Sequence, residues 1–122
     1  MSITFLELLH GHNVNDVTIA QQHCLEDLLI AINVIRDAWG QPMTVTSGIR
    51  TELDQARINP KATHSAHLEG KAVDIEDKDG SLYQWCKDNE PLLEKTGLWI
   101  EADTKGWVHF QIRPAHNRFF IA

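Results

Sequence analysis

Ser65-Ala66-His67-Leu68-Glu69-Gly70-Lys71-Ala72-Val73-Asp74-Ile75 decides how the rest of the chain is read. It offers an imidazole at His67 and a carboxylate at Asp74, with Gly70 between them. Ala72-Val73-Asp74-Ile75 alternates apolar and polar residues, as a short strand with one buried face does. A loop-borne His and a strand-borne Asp can converge on one point in a way that two residues of a single strand cannot. A third nitrogen is available downstream, at His109 in Trp107-Val108-His109-Phe110. Two imidazoles and one carboxylate leave one corner of a tetrahedral zinc open to water, the catalytic rather than the structural arrangement. Asp74 would be costly unpaired in an apolar strand, and a metal ion removes that cost. Gly70 relieves crowding where the chain turns beside such a site.

Outward from this stretch, 122 residues suit one domain with one core, spanning 1–122. A hydrophobic content of 43% with four Trp and four Phe is that of a globular chain rather than a disordered one. The net charge of -6 argues against a nucleic-acid binder, which needs a basic face. There is no long apolar span, and Met1-Ser2-Ile3-Thr4 lacks the basic and apolar regions of a signal peptide. The expectation is a chain made in the cytoplasm, not embedded in a membrane, whose exit needs another route. Cys24 and Cys86 stand alone in helical, half-apolar segments and read as buried free thiols rather than a disulfide.

Taken in order, residues 3–9 form an apolar run and 10–15 a polar turn. Asp16 or Thr18 can cap the helix that follows. From Ile19, the apolar positions Cys24, Leu28, Ile32, Ile35 and Trp39 recur at three- and four-residue steps, a long amphipathic helix ended by Gly40 and Pro42. Residues 43–47 read as a β-branched strand broken by Gly48. A short helix is expected over 51–58, stopped by Asn59-Pro60, then a polar loop over 61–68. After the strand at 72–75 comes a turn at 77–80, and Ser81 can cap a helix carrying Leu82, Trp85 and Cys86. Pro91 opens another short helix, closed by Gly97. Residues 98–101 and 107–112 form a hairpin, and Phe119-Phe120-Ile121 is a terminal apolar segment. Segregated helices with short, mostly antiparallel strands predict an α+β fold.

Of seven histidines, His10, His12, His23 and His116 read as ordinary solvated or packed residues. His64 has no motif that assigns it a role. His109 shares a strand face with Trp107 and Gln111, while Val108, Phe110 and Ile112 take the core face. Neither cysteine has a nucleophile's neighbourhood, and no Gly-x-Ser-x-Gly elbow or phosphate loop is present.

These residues resemble the zinc peptidases of peptidoglycan that include D-alanyl-D-alanine carboxypeptidases and phage L-alanyl-D-glutamate endolysins, which share the Hedgehog/DD-peptidase fold. The matching pieces are Val45-Thr46-Ser47-Gly48-Ile49-Arg50-Thr51, the stretch from Ser65 to Ile75, and Trp107-Val108-His109-Phe110-Gln111, in the family's order. Ser-x-His-x-x-Gly-x-Ala-x-Asp is far longer than a chance pattern. The resemblance implies one zinc ion per chain on His67, Asp74 and His109, with Arg50 contacting substrate, and an enzyme acting on the peptidoglycan stem peptide; the oligomeric state is left open, with a monomer favoured. It also likens Gly97-Leu98-Trp99-Ile100-Glu101 to phage-type relatives and implies Glu101 as the catalytic base. Ser65 is assigned a hydrogen bond to substrate or to its own loop. The implied setting is the cell wall, reached after release, as in phage lysis.

Two departures stand out. Many members carry an aromatic residue where Ile49 stands, and many place the catalytic acid in Glu-x-x-His, where this chain has Gly106. Glu101 and Asp103 are the carboxylates that could substitute. In a hairpin with an odd-length loop Glu101 can sit across from the His109 strand on the same face, and it is preferred because a glutamate on a strand is held better than an aspartate in a turn. For Arg50 the competing role is an internal ion pair with Glu52 or Asp54. Trp99 and Trp107 read as hairpin packing rather than substrate platforms. The missing Glu-x-x-His carboxylate keeps open a non-catalytic zinc module that binds cell-wall peptide, or a structural virion domain. L-Ala-D-Glu endopeptidase and D-Ala-D-Ala carboxypeptidase activities would share this metal site.

Overall fold

The computed structural model describes residues 2–50 and 65–121. The helix expected over 51–58, its stop at Asn59-Pro60, His64, and Arg50's alternative partners Glu52 and Asp54 lie outside the described residues. In chain order the elements are α1 (Phe5–Leu9), a 3-10 turn (Val14–Asp16), α2 (Ile19–Trp39), β1 (Val45–Ser47) and β2 (Ala72–Asp77). They continue with α3 (Ser81–Asp88), α4 (Glu90–Thr96), β3 (Trp99–Glu101), β4 (Gly106–Gln111) and β5 (Phe119–Phe120).

The helix starts follow from local chemistry. Thr18 caps α2, its hydroxyl oxygen accepting from the Gln21 N–H at 3.1 Å, while Gln21 Oε1 accepts from the Thr18 N–H at 2.7 Å. This reciprocal box satisfies two otherwise orphaned donors. Asp16 closes the preceding 3-10 turn instead, accepting from the Asn13 N–H. At the other end Gly40 takes a left-handed conformation, φ 76°. α2 buries Leu25, Leu28, Ala31, Ile32 and Ile35, whereas Cys24, one of the positions its apolar pattern suggested, is only half-buried. Asn33 on α2 ties down the N-terminal segment: its side chain accepts from the Ile3 N–H at 2.7 Å and donates to the Ile3 carbonyl at 2.9 Å.

Ser81 does not cap α3. The cap comes from further back, because both carboxylate oxygens of the buried Asp77 accept backbone N–H groups, from Leu82 and Tyr83, each at 3.0 Å. Cys86 on α3 is fully buried, and burial, with the nearby charge of Asp77, pushes its thiol up to about 12. A thiol held protonated in this way is not a nucleophile. Pro91 and Gly97 bracket α4 as expected.

The strands form one mixed sheet in the order β1-β2-β4-β3-β5 among the described residues. β1, β2, β4 and β3 pair antiparallel, and the terminal apolar segment adds to the edge as β5, parallel to β3. Val73 and Ile75 of β2, Val108 and Phe110 of β4 and Ile100 of β3 lie in one core with Leu25, Leu28, Ile32, Ile35, Leu82 and Leu93 of the helices. Each such side chain, fully removed from water, contributes roughly 1.5–3 kcal/mol. The opposite face carries Asp74 and His109. It is covered too, since Ala72 is fully buried and Asp74 keeps only 8% exposure. β2 therefore has two buried faces rather than the one its alternation suggested.

Candidate metal centre

Asp74 and His109 are direct cross-strand partners in the β2–β4 ladder, so their side chains leave the same face side by side. Asp74 Oδ1 lies 2.9 Å from His109 Nδ1. The turn 65–70 brings His67 over them, with Nε2 3.3 Å from the same Asp74 oxygen. The two imidazole rings meet edge to face, with centroids 5.1 Å apart. One ligand atom from each of the three side chains lies within 4.8 Å of the others, and all three residues are buried. His10, His12, His23 and His116 join no comparable group among the described residues.

The backbone around His67 explains its aim. Gly70 turns with φ 74°, and a Cβ there would approach the Gln21 carbonyl oxygen of α2 to 2.8 Å. Gln21, having closed its own capping box, donates from Nε2 to the Leu68 carbonyl at 2.6 Å. The first turn of α2 is thereby fastened to the turn that presents His67. Ser65 Oγ accepts from the His67 N–H at 3.2 Å, a bond that tightens the loop. The His67 ring is oriented by Gly48, whose carbonyl lies 2.8 Å from Nδ1.

That contact decides the donor chemistry. A carbonyl only accepts, so Nδ1 carries the proton and Nε2 turns its lone pair toward the Asp74 carboxylate. Two acceptors 3.3 Å apart and away from water need a cation between them. Two imidazoles and one carboxylate form a donor set that suits zinc and leaves room for a further ligand, so the residues present fit such an ion. Without metal, protons fill the role. Burial raises the Asp74 carboxyl, but hydrogen bonds to His109 and His67 and their charge outweigh it and hold the group well below the usual carboxylate range. Burial lowers His109, but its bond to Asp74, that carboxylate's charge, the contact with Gln111 and the charge of Glu101 outweigh it and raise the imidazole.

The signs give a testable consequence. Asp74, depressed, stabilises the fold above its ordinary value of 3.8, and this is lost as the pH falls through the lower folded value. His109, raised, stabilises the fold below its ordinary 6.5, and this is lost as the pH rises through the higher folded value. Chelator-treated protein should melt highest in mildly acidic buffer and lose melting temperature toward mildly alkaline buffer. A melting temperature that climbs over that interval would contradict the assignment of His109.

The other predicted site residues lie close by. Arg50 donates from its backbone N–H to the His67 carbonyl at 3.1 Å, and its guanidinium reaches Ser47 Oγ at 3.3 Å and Asp74 Oδ2 at 4.0 Å. The β3–β4 register pairs Trp99 with Gln111 and Ile100 with Phe110. One step further sets Glu101 opposite His109, and its charge is among those acting on that imidazole. Asp103 instead occupies the turn with φ 65°, exposed, and its charge acts on Tyr83. Trp99 is covered by Arg118, 4.3 Å above its ring, while Trp107 is 40% exposed at the outer end of β4.

A profile of the peptidase M15 family matches residues 2–110. The chain belongs to that family. The crystal structure of the Serratia marcescens L-Ala D-Glu endopeptidase ChiX matches with a TM-score of 0.52 and 21% sequence identity, over 80% of this chain and 89% of that one. At this identity the likeness shows a shared fold. No curated protein matches the sequence.

For this M15 peptidase, sequence reasoning missed two contributors to the site. The Gly48 carbonyl leaves no sequence signal, because it is backbone. Gln111 had one, its place two residues from His109 on the same strand face. Gly48 also bears on stability. A methyl group there would overlap the Leu8 carbonyl oxygen, which accepts from the Ile49 N–H at 2.9 Å. Since the obstacle is backbone, it cannot rotate away. Gly48→Ala is expected to cost about 1–3 kcal/mol, read as a lower urea midpoint, and an unchanged midpoint would show that α1 moves aside freely.

Proposed function

We propose that this peptidase is zinc-dependent and hydrolyses a peptide bond of the peptidoglycan stem. The observation that carries the reading is the convergence of His67, Asp74 and His109 to within 4.8 Å in a chain of the M15 family. A zinc ion held by these three side chains supplies Lewis acidity toward the scissile carbonyl and the attacking water. Glu101 acts as the base: it takes the proton of that water and passes it to the leaving amine. Its support is the register that sets it opposite His109. Arg50 binds a carboxylate of the stem peptide with its planar fork, and the half-buried setting beside Asp74 strengthens that contact. Ser65 acts through the loop, holding the His67 backbone by the hydrogen bond it already makes.

Among stem-peptide bonds, the L-Ala-D-Glu linkage is preferred over the terminal D-Ala-D-Ala bond, because the structural neighbour is named for it. Metal analysis of purified protein should give about one zinc per chain, and chelation should abolish cleavage. Incubation with defined muropeptides, read by mass spectrometry, tests both parts of the proposal. New termini at L-Ala and D-Glu are the expected result, and release of D-Ala would reassign the bond. The glycine at 106, where many relatives resembling this chain carry the catalytic acid, favours a second reading as a zinc-containing module that binds wall peptide without cutting it. Zinc uptake with intact muropeptides after incubation would establish that reading instead.

A further inference from the structure

We infer that Gln111 is a positioning residue that presents Nδ1 of His109, and not Nε2, to a bound cation, and thereby sets the affinity of the site. The inference rests on the proposed metal-dependent reading and goes beyond it, since neither the motif nor the family assignment gives Gln111 a role.

Gln111 is 3% exposed, so its amide must find its partners inside the protein. Its Nε2 donates to the Arg113 carbonyl at 2.7 Å. A carbonyl cannot donate, so this bond settles which way the amide faces: NH2 toward Arg113, oxygen toward His109. The oxygen lies 2.8 Å from His109 Nε2. It has only lone pairs to offer, so Nε2 must carry the proton. In the neutral ring the remaining lone pair is then on Nδ1, the atom 2.9 Å from Asp74 Oδ1. A backbone carbonyl thus dictates the tautomer of a candidate ligand through one side-chain amide. The same Arg113 ion-pairs with Glu69 at 2.7 Å, on the turn that carries His67. The orientation of one histidine is therefore anchored to a residue that also grips the loop of the other.

The two histidines are set in opposite senses. His67 has its Nδ1 on the Gly48 carbonyl and turns Nε2 inward. His109 has its Nε2 on Gln111 and turns Nδ1 inward. The first is oriented by backbone, which no substitution removes. The second depends on a replaceable side chain, which makes Gln111 the point at which affinity can be altered without touching a ligand.

The test uses the full chain, labelled with nitrogen-15 and loaded with zinc. Long-range proton–nitrogen NMR of the imidazoles should show His109 protonated at Nε2 with the metal-induced shift on Nδ1. Competition with a chromophoric chelator should show that Gln111→Met, close in length but without the amide, weakens zinc binding by roughly 10- to 100-fold. A proton on Nδ1 of His109 in the loaded protein, or a Gln111→Met chain with undiminished affinity, overturns the inference. Should the variant fail to fold, the NMR measurement on the unaltered chain decides alone. A chain that takes up no zinc at all refutes the metal-dependent reading itself. Zinc uptake through Nε2 of His109 refutes only the role given to Gln111.

Discussion

Glu101→Gln is expected to retain zinc while losing about 10²- to 10⁴-fold in the rate of muropeptide cleavage, the range typical of removing a positioned general base. The substitution keeps the shape of the side chain and takes away the basic oxygen. The side chain is half-buried, and its β3 neighbour Ile100 pairs with Phe110 of β4 and with Phe119 of β5, so the backbone that carries it is held on both sides. No ligand of the proposed ion is altered, so metal content measured by elemental analysis should stay at about one per chain. Asp103→Asn is the matched control, because Asp103 lies in the exposed turn and its charge acts on Tyr83. If Asp103→Asn loses activity and Glu101→Gln does not, the base has been assigned to the wrong carboxylate. If both remain active, proton transfer rests on neither.

Asp74→Asn should abolish activity and weaken zinc binding by more than the roughly 10- to 100-fold that follows loss of an outer-shell partner. Asp74 Oδ1 faces both imidazole nitrogens, at 2.9 and 3.3 Å, and Oδ2 has the Arg50 guanidinium at 4.0 Å. Removing the charge takes the carboxylate away from the raised His109 imidazole and from the Arg50 guanidinium beside it. Metal-free Asp74→Asn should therefore lose about 1–3 kcal/mol in mildly acidic buffer. The loss should shrink toward alkaline pH, as the raised His109 imidazole gives up its proton and needs the carboxylate less. Paired urea titrations of the unaltered and variant chains across that interval measure it. A pH-independent difference would mean that Asp74 acts by packing and not by charge.

Much of the molecule was legible in short-range pattern. The three- and four-residue steps from Ile19 give α2, and Thr18, one of the two caps the sequence offered, is its start, because capping and amphipathicity involve neighbours within one or two turns. The alternation around Asp74 and His109 assigns each to the strand face opposite Val73, Val108 and Phe110. The stretch Ser-x-His-x-x-Gly-x-Ala-x-Asp held two of the three metal-binding candidates, and the alternation around His109 marked the third. The cap of α3 was not legible, because Asp77 reaches residues five and six positions on. Nor was the attachment of β5, a parallel pairing whose two partners lie on either side of the hairpin turn and of β4.

By itself, then, the sequence determined which residues are candidates for the chemistry and which face of its own element each one occupies, since both depend on side-chain identity and the local period of the backbone. Only the tertiary structure decided that Asp74 stands directly opposite His109, that the β3 register runs Glu101 toward the His109 position while Asp103 falls in an exposed turn, and which ring nitrogen of each histidine faces Asp74. Those outcomes depend on strand register and on the carbonyls of Gly48 and Arg113. Register is chosen by the packing of the whole sheet against its helices, and a backbone carbonyl is the same chemical group in every residue, so neither leaves a mark in the order of amino acids.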